Sequence, residues 1–142
     1  MDTRSSLQAY KETQIKTANQ GRLIVMLYDG AIRFVNLAID GLEAGPPQYD
    51  QINNHIIKAQ DIITELMVSL DRQKGGEIAG NLFKIYIFMS RLLIEGNIKK
   101  DITPLDSVRN LLGDLREVWI EVTKKNGHGQ DLPETSGINI AG

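Results

Sequence analysis

The sequence predicts an all-α protein folded as an antiparallel four-helix bundle. Apolar residues recur at helical spacing through four long segments, and no segment shows the strict alternation of a half-buried strand. The prolines fall at positions 46, 47, 104 and 133, between or at the ends of these segments. Since the connections between the long segments are short, successive helices are expected to run antiparallel.

Length and composition limit the classes of function. The 142 residues suit one domain, and 42% apolar with 24% charged residues is typical of a folded chain. The net charge of −2 gives no basic excess, which disfavours binding to nucleic acid or to a membrane surface. The first residues contain no apolar h-region and no apolar run reaches membrane-spanning length, so we expect a cytoplasmic protein without stable membrane insertion.

The first long helix is expected to start after Thr17 or Asn19 and to end near Leu42. Its apolar residues cover more than one face, which is unusual for an outer helix. One line along the helix consists of Leu23, Leu27, Ala31, Phe34 and Ala38. A second group, further round the helix, consists of Tyr28, Ile32 and Ile39. Residues 1–18 precede this helix as a short helical segment, and Leu7 and Tyr10 give it enough apolar character to dock elsewhere.

The second and fourth helices each carry one conventional apolar stripe. Thr103 and Pro104 are expected to open the fourth helix as cap and first residue. The stripe of the second helix is Ile52, Ile56, Ala59, Ile63, Leu66 and Leu70. The stripe of the fourth helix is Leu105, Val108, Leu112, Leu115, Trp119 and Val122. Both patterns predict helices with one face in a core.

The third helix has apolar side chains on two opposite faces. Gly75 and Gly76 indicate a turn before it, and Glu77 lies in its first turn. Asn97 near its end suits a left-handed cap. One stripe is Ile78, Leu82, Ile85, Met89 and Leu92, and the other is Phe83, Ile87 and Ile94. The second stripe requires a central position in the fold, an added layer of the same chain, or a visiting partner.

The predicted organisation has three parts. Residues 1–18 form the docking or covering segment, residues 19–125 the bundle, and residues 126–142 a flexible tail rich in Gly and polar residues. Gly30 and Gly41 inside the first helix indicate that backbone of a neighbouring helix approaches closely there.

The chain offers little catalytic chemistry. It has no cysteine, and its histidines are His55 and His128. The Glu-x-x-His pairs of a di-metal bundle are missing, so we predict no catalytic residues, no metal and no cofactor. An alternative function is phosphotransfer by His55 and Lys58. The sequence His-Ile-Ile-Lys resembles the His-x-x-Lys of histidine phosphotransfer domains, in which the imidazole is exposed.

Several sequence blocks resemble one known family. LIVMLYDGAIRFVNLAI from Leu23, followed by IIKAQDIITELMVSLD, GGEIAGNLF and LLIEGNIKKD, is similar to the flagellin-specific export chaperones of the FliS family. The resemblance covers roughly residues 8 to 124. One departure lies at residues 19–21, where Asn-Gln-Gly replaces the Ser-Pro-Glu that usually opens the first long helix.

The resemblance implies a non-enzymatic cytoplasmic bundle that holds the disordered C-terminal segment of flagellin. It also implies delivery to the flagellar export gate, and an N-terminal segment that covers part of the binding surface when no client is bound. Together with the periodicity, it leads to the hypothesis that client helices pack on Phe83, Ile87 and Ile94 and on Tyr28, Ile32 and Ile39, with Leu7 and Tyr10 in the covering segment.

Besides phosphotransfer, one further alternative stays open at this stage. The second apolar face could mediate self-association, which would make the protein a helical scaffold or a weak homo-oligomer.

Overall fold

Four α-helices make up the described part of the chain. The computed structural model describes the backbone from residue 3 to 125 and side chains from residue 20 to 125. The helices are α1 (Thr3–Glu43), α2 (Tyr49–Ser69), α3 (Arg72–Lys99) and α4 (Ile102–Lys125). The prediction of an all-α four-helix bundle is confirmed. The predicted tail, residues 126–142, lies outside the described residues.

The helices form a square, with α1 diagonal to α3 and α2 diagonal to α4. The most extensive packing is that of α1 against α2 and α4, whereas α3 packs less extensively against the same two helices. Since every connection between consecutive helices is short, each helix runs antiparallel to the next. Helix α3 keeps several large apolar side chains exposed, among them Phe88, Ile94 and Ile98.

Helix α1 starts much earlier than the sequence indicated. It runs without a break from Thr3 through the predicted boundary at residues 17–21 to Glu43. A glycine inside a helix costs only about 1 kcal/mol relative to alanine, so Gly21, which is buried, does not by itself end the helix. The predicted helix start was therefore wrong, while the covering role of residues 1–18 stays a prediction.

The start of α3 follows the predicted turn. The Asp71 carboxylate accepts hydrogen bonds from the backbone N–H groups of Gln73 and Lys74 at 3.2 and 3.0 Å, which caps a single helical turn. Gly76, at φ 54° and ψ −132°, then interrupts the helical backbone, and the long helix resumes at Glu77. This left-handed φ is one that glycine adopts without steric cost.

Two other predicted caps were displaced by a few residues. Helix α4 begins at Ile102, because the Asp101 carboxylate accepts a hydrogen bond from the backbone N–H of Thr103 at 3.1 Å. Asp101 is therefore the cap of this helix, a role that was expected of Thr103. At the end of α3 the left-handed residue is Lys100, at φ 50°, instead of Asn97.

The core confirms the stripes of α2 and α4 and corrects those of α1 and α3. In α1 the buried line includes Tyr28 and Ile39, whereas the predicted Leu27 and Phe34 are only half-buried. The buried apolar residues of α1 are Ile24, Tyr28, Ala31, Val35, Ala38 and Ile39. Those of α3 are Ala79, Leu82, Tyr86, Met89 and Leu93. Both helices are therefore rotated about their axes relative to the prediction.

A hydrogen-bonded group of aromatic residues lies at the centre of this core. The hydroxyls of Tyr28 and Tyr86 are 2.6 Å apart, which links the diagonal helices α1 and α3. The Trp119 side chain of α4 lies near the Tyr28 hydroxyl and acts to lower the pKa of Tyr28, an effect that burial outweighs. Burial raises the pKa of Tyr86 to about 12, and it raises that of Tyr28 still further, so both side chains stay neutral.

Substitution of either Tyr28 or Tyr86 by phenylalanine is expected to destabilise the bundle by about 1 to 3 kcal/mol, the usual cost of a buried polar group without a partner. Each change removes one of the two hydroxyls that lie 2.6 Å apart and leaves the other unsatisfied. Urea unfolding monitored by circular dichroism gives the two free energies of unfolding. Unchanged stability in both variants would show that the bond between the hydroxyls contributes nothing to the bundle.

Candidate functional site: the α2–α3 groove

Isoleucines from two helices line a groove along one side of the bundle. Asn97 of α3 bonds to Asn53 of α2, which identifies the sides on which these helices meet. At about 100° per residue, positions 83, 87, 94 and 98 fall on the Asn97 side of α3, and Ile57 lies one turn after Asn53. We define the α2–α3 groove by these side chains: Ile57, Phe83, Ile87, Ile94 and Ile98.

The groove is exposed where it is most apolar. Ile57 is 42% exposed, Ile94 47% and Ile98 77%, while Phe83 and Ile87 are half-buried between them and the core. Exposed isoleucines do not stabilise an isolated pair of helices, because their side chains remain in water. A contiguous row of them marks an interaction surface. From Phe83 to Ile98 the groove is about 22 Å long at 1.5 Å per residue, enough for about four turns of a partner helix.

Polar contacts fix the register of α2 against α3 at one end of the groove. The Asn97 side-chain amide donates to the Asn53 side-chain oxygen at 2.7 Å. The Lys100 ammonium donates to the side-chain oxygen and the carbonyl oxygen of Asn97, at 2.6 and 2.9 Å, and lies 5.9 Å from the ring centroid of Tyr49. These bonds hold the exposed side of α3 in one orientation relative to α2.

A second cation lies at the other end. The guanidinium of Arg72 stacks over the Phe83 ring, 4.3 Å from its centroid, which is a favourable cation–π distance. The groove therefore has an apolar middle and a positive charge at each end. A partner with apolar residues at helical spacing and carboxylates beyond them would complement it.

The predicted binding residues separate into two sets. Phe83, Ile87 and Ile94 lie along the groove, as the second stripe of α3 indicated. In contrast, Tyr28 and Ile39 are almost fully buried, and Ile32 is half-buried against the core. A visiting helix cannot touch Tyr28 or Ile39 while the bundle is closed, so we correct their role to packing. The side chains of Leu7 and Tyr10 lie outside the described part of the chain.

Two groove residues were missed by the sequence analysis. Ile57 follows the core residue Ile56 directly, and a second apolar residue beside a heptad position is the signal that pointed to it. Ile98 lies four residues after Ile94, so the second stripe of α3 simply extends one turn further than predicted.

His55 is placed differently from a phosphotransfer histidine. Its ring is half-buried against α1 and stacks on Phe34 with the centroids 6.3 Å apart, and its Nδ1 atom is buried without a hydrogen-bond partner. The Lys58 ammonium lies 5.8 Å from the centroid of the Phe34 ring. The imidazole and the lysine therefore both pack around Phe34, whereas phosphotransfer requires the imidazole to be exposed.

Comparison with known proteins gives the family. The family described as "Flagellar protein FliS" matches residues 3–126. The chain belongs to the FliS family. The match spans all four helices and therefore includes both walls of the α2–α3 groove.

Similar FliS proteins come from several bacteria. The chain is 35% identical over 124 residues to the flagellar secretion chaperone FliS of Bacillus subtilis, covering 85% of this chain and 90% of that protein. It is 35% identical over 130 residues to FliS of Salmonella typhimurium, covering 88% and 95%. With the secretion chaperone FliSB of Pseudomonas aeruginosa it shares 36% over 108 residues, covering 76% and 84%.

The described helices of this FliS-family chain include no candidate membrane span. Among the described residues, every helix is too polar over the length that would be needed to cross a bilayer.

Proposed function

We propose that this protein is a cytoplasmic, non-enzymatic export chaperone that holds the C-terminal segment of flagellin along the α2–α3 groove. The export-chaperone role is that of the family, whose relatives are named flagellar secretion chaperones. The observation that supports the groove as the binding site is the row of exposed isoleucines from Ile57 to Ile98, which the bundle itself leaves uncovered.

The binding mode follows from the shape of the groove. An amphipathic client helix would place residues at spacings of three and four against Ile57 and Ile94, which is helix-in-groove recognition. A client that is disordered when free must fold to bind, and this ordering commonly costs about 2 to 5 kcal/mol of the interaction energy. Binding can thus be specific and still release the client at export.

Protection of the client is the useful result of this binding. The apolar faces that the flagellin segment would otherwise use in filament assembly are buried against the groove, so the client stays unassembled. Delivery to the flagellar export gate completes the proposed cycle.

Calorimetric titration of the full chain with a synthetic flagellin C-terminal peptide tests the proposal. We expect saturable binding, a negative heat-capacity change from apolar burial and a gain of helix in the circular dichroism of the mixture. A scrambled peptide of the same composition is the control. Equal binding of both peptides, or of neither, would contradict the proposal.

Removal of residues 1–18 tests the covering segment. If Leu7 and Tyr10 compete with the client for the groove, the truncated protein should bind the flagellin peptide as tightly as the full chain or more tightly. A tenfold loss of affinity in a truncated protein that melts like the full chain would instead make these residues client contacts.

A further inference from the structure

The cation at the Phe83 end of the α2–α3 groove is free to bind an anion. The Arg72 guanidinium lies over the Phe83 ring, 4.3 Å from the ring centroid. A guanidinium carries several N–H donors, and contact with an aromatic ring leaves donors available for hydrogen bonds. Arg72 is exposed, and among residues 20–125 its side chain forms no ion pair. Phe83 therefore supports a guanidinium whose donors face solvent.

The cation at the Ile98 end is already in use. The Lys100 ammonium donates to two oxygens of Asn97, at 2.6 and 2.9 Å, which leaves one of its N–H groups. The two helices that line the groove run antiparallel, so their dipoles oppose each other and favour neither end. The side chains decide where an anion binds, and they favour Arg72.

Apolar surface continues along the groove as far as Arg72. Val68 of α2 is 79% exposed and lies about three helical turns after Ile57, on the same side of the helix. The antiparallel register, fixed by the hydrogen bond between the two asparagines, brings Val68 level with the Phe83 end of the groove. An occupant that follows the groove toward this end meets an exposed apolar side chain and then a guanidinium.

The other charged side chains of this segment balance one another. The Asp71 carboxylate accepts hydrogen bonds from the backbone N–H groups of Gln73 and Lys74, so it serves as a cap. Lys74 and Glu77 are both exposed and carry opposite charges. Since Asp71 and Arg72 also carry opposite charges, the segment has no net positive field. Arg72 must therefore recognise an anion by direct hydrogen bonds.

We propose that Arg72 binds the terminal carboxylate of the client, so that the client helix runs parallel to α2 and antiparallel to α3. This inference rests on the proposed function, because the last segment of a polypeptide carries that carboxylate. A guanidinium and a carboxylate form a bidentate pair, which is stronger and more directional than a single hydrogen bond. The C-terminal end of a helix also carries partial negative charge, which adds to the attraction. The last apolar turn of the client then packs against Val68.

Titration calorimetry with two forms of the flagellin C-terminal peptide tests the contact. One form ends in the free carboxylate, and the other ends in a neutral amide. At low salt, where the pair is least screened, we expect the wild type to bind the free acid about fivefold or more tightly than the amide. Arg72→Gln should bind both forms with the affinity that the wild type shows for the amide. Lys74→Gln is the matched control, because it removes an exposed positive charge from the same turn, and it should keep the preference.

Three results would overturn the proposal and leave the proposed function standing. Equal binding of both forms to the wild type would show that Arg72 does not bind the terminal carboxylate. An equal loss for both forms in Arg72→Gln would assign Arg72 to a side-chain carboxylate of the client. An equal gain for both forms would make Arg72 a cover over the groove. If neither form binds the wild type, the proposed function fails as well.

Disulfide cross-linking tests the direction of the client without a measurement of affinity. The chain has no cysteine, and Val68 and Ile98, at opposite ends, are 79% and 77% exposed. Val68→Cys should cross-link to a peptide that carries a cysteine near its C-terminus, and Ile98→Cys to a peptide that carries one near its N-terminus. The reverse pattern, or equal yields for the two peptides, would overturn the proposed direction.

Discussion

Replacement of Ile94 by aspartate is expected to weaken binding of the flagellin C-terminal peptide by ~30-fold or more. A central interface residue commonly contributes about 2 kcal/mol or more, and 1.4 kcal/mol corresponds to a factor of ten. Ile94 lies in the α2–α3 groove, one turn before Ile98, and is nearly half exposed, so a carboxylate there remains hydrated in the free protein. In the complex the same carboxylate would be covered by apolar client side chains. Titration calorimetry measures the affinity.

Val118→Asp is the matched control for this experiment. Val118 is similarly exposed but lies on α4, which contributes no side chain to the α2–α3 groove, so its substitution should leave peptide affinity within about twofold of the wild type. Ile87 is a poorer choice than Ile94, because it is half-buried and an aspartate there would also disturb packing. Unchanged peptide affinity in a folded Ile94→Asp variant would exclude the α2–α3 groove as the client site.

Substitution of Gly96 by alanine is expected to destabilise the bundle by about 1 to 3 kcal/mol, the usual cost of overpacking a core. The added Cβ would lie 2.7 Å from Cδ2 and 2.9 Å from Cγ of Leu105. Leu105 is fully buried, and Cγ is not the free end of a flexible chain, so α3 and α4 must separate to make room. Chemical unfolding followed by circular dichroism gives the free energy.

Gly80→Ala is the matched substitution on the same helix. A Cβ atom at Gly80 would have no neighbour within 4 Å, so the change should stabilise α3 by up to about 1 kcal/mol through helix propensity alone. Opposite signs for the two substitutions are the expected result. A stabilising Gly96→Ala would mean that α3 and α4 do not meet as closely as the structure shows.

The sequence predicted α2 and α4 well because each carries a single stripe. Ile52, Ile56 and Ile63 are buried as expected, and so are Leu105 and Leu112. Where only one face is apolar, periodicity decides which side points inward.

The orientations of α1 and α3 could not be decided in the same way. Both helices have apolar residues around much of their circumference, so two rotations bury similar numbers of them. The choice depends on partners from other helices: Tyr28 turns inward, where the Tyr86 hydroxyl supplies a hydrogen bond at the centre. This bond joins two residues that are far apart in the sequence, so no local pattern reveals it.

Close contacts at glycines were also predicted in part and missed in part. Gly30 and Gly41 were correctly expected at close approaches, although the atoms that approach are side-chain carbons of Ile62 and Ile52 and not backbone. Gly96, the tightest of these contacts, looked like an ordinary residue before a helix end. Its importance comes from Leu105 on another helix, which sequence spacing does not show.

The position of the single tryptophan has a practical consequence. Trp119 is almost fully buried in the core and lies near Tyr28 of α1. Its fluorescence therefore reports on the interior without any attached dye. A binding partner that lies on the outside of the protein leaves the emission maximum unchanged. A binding partner that separates the helices lets water reach the indole and shifts the emission maximum to longer wavelength.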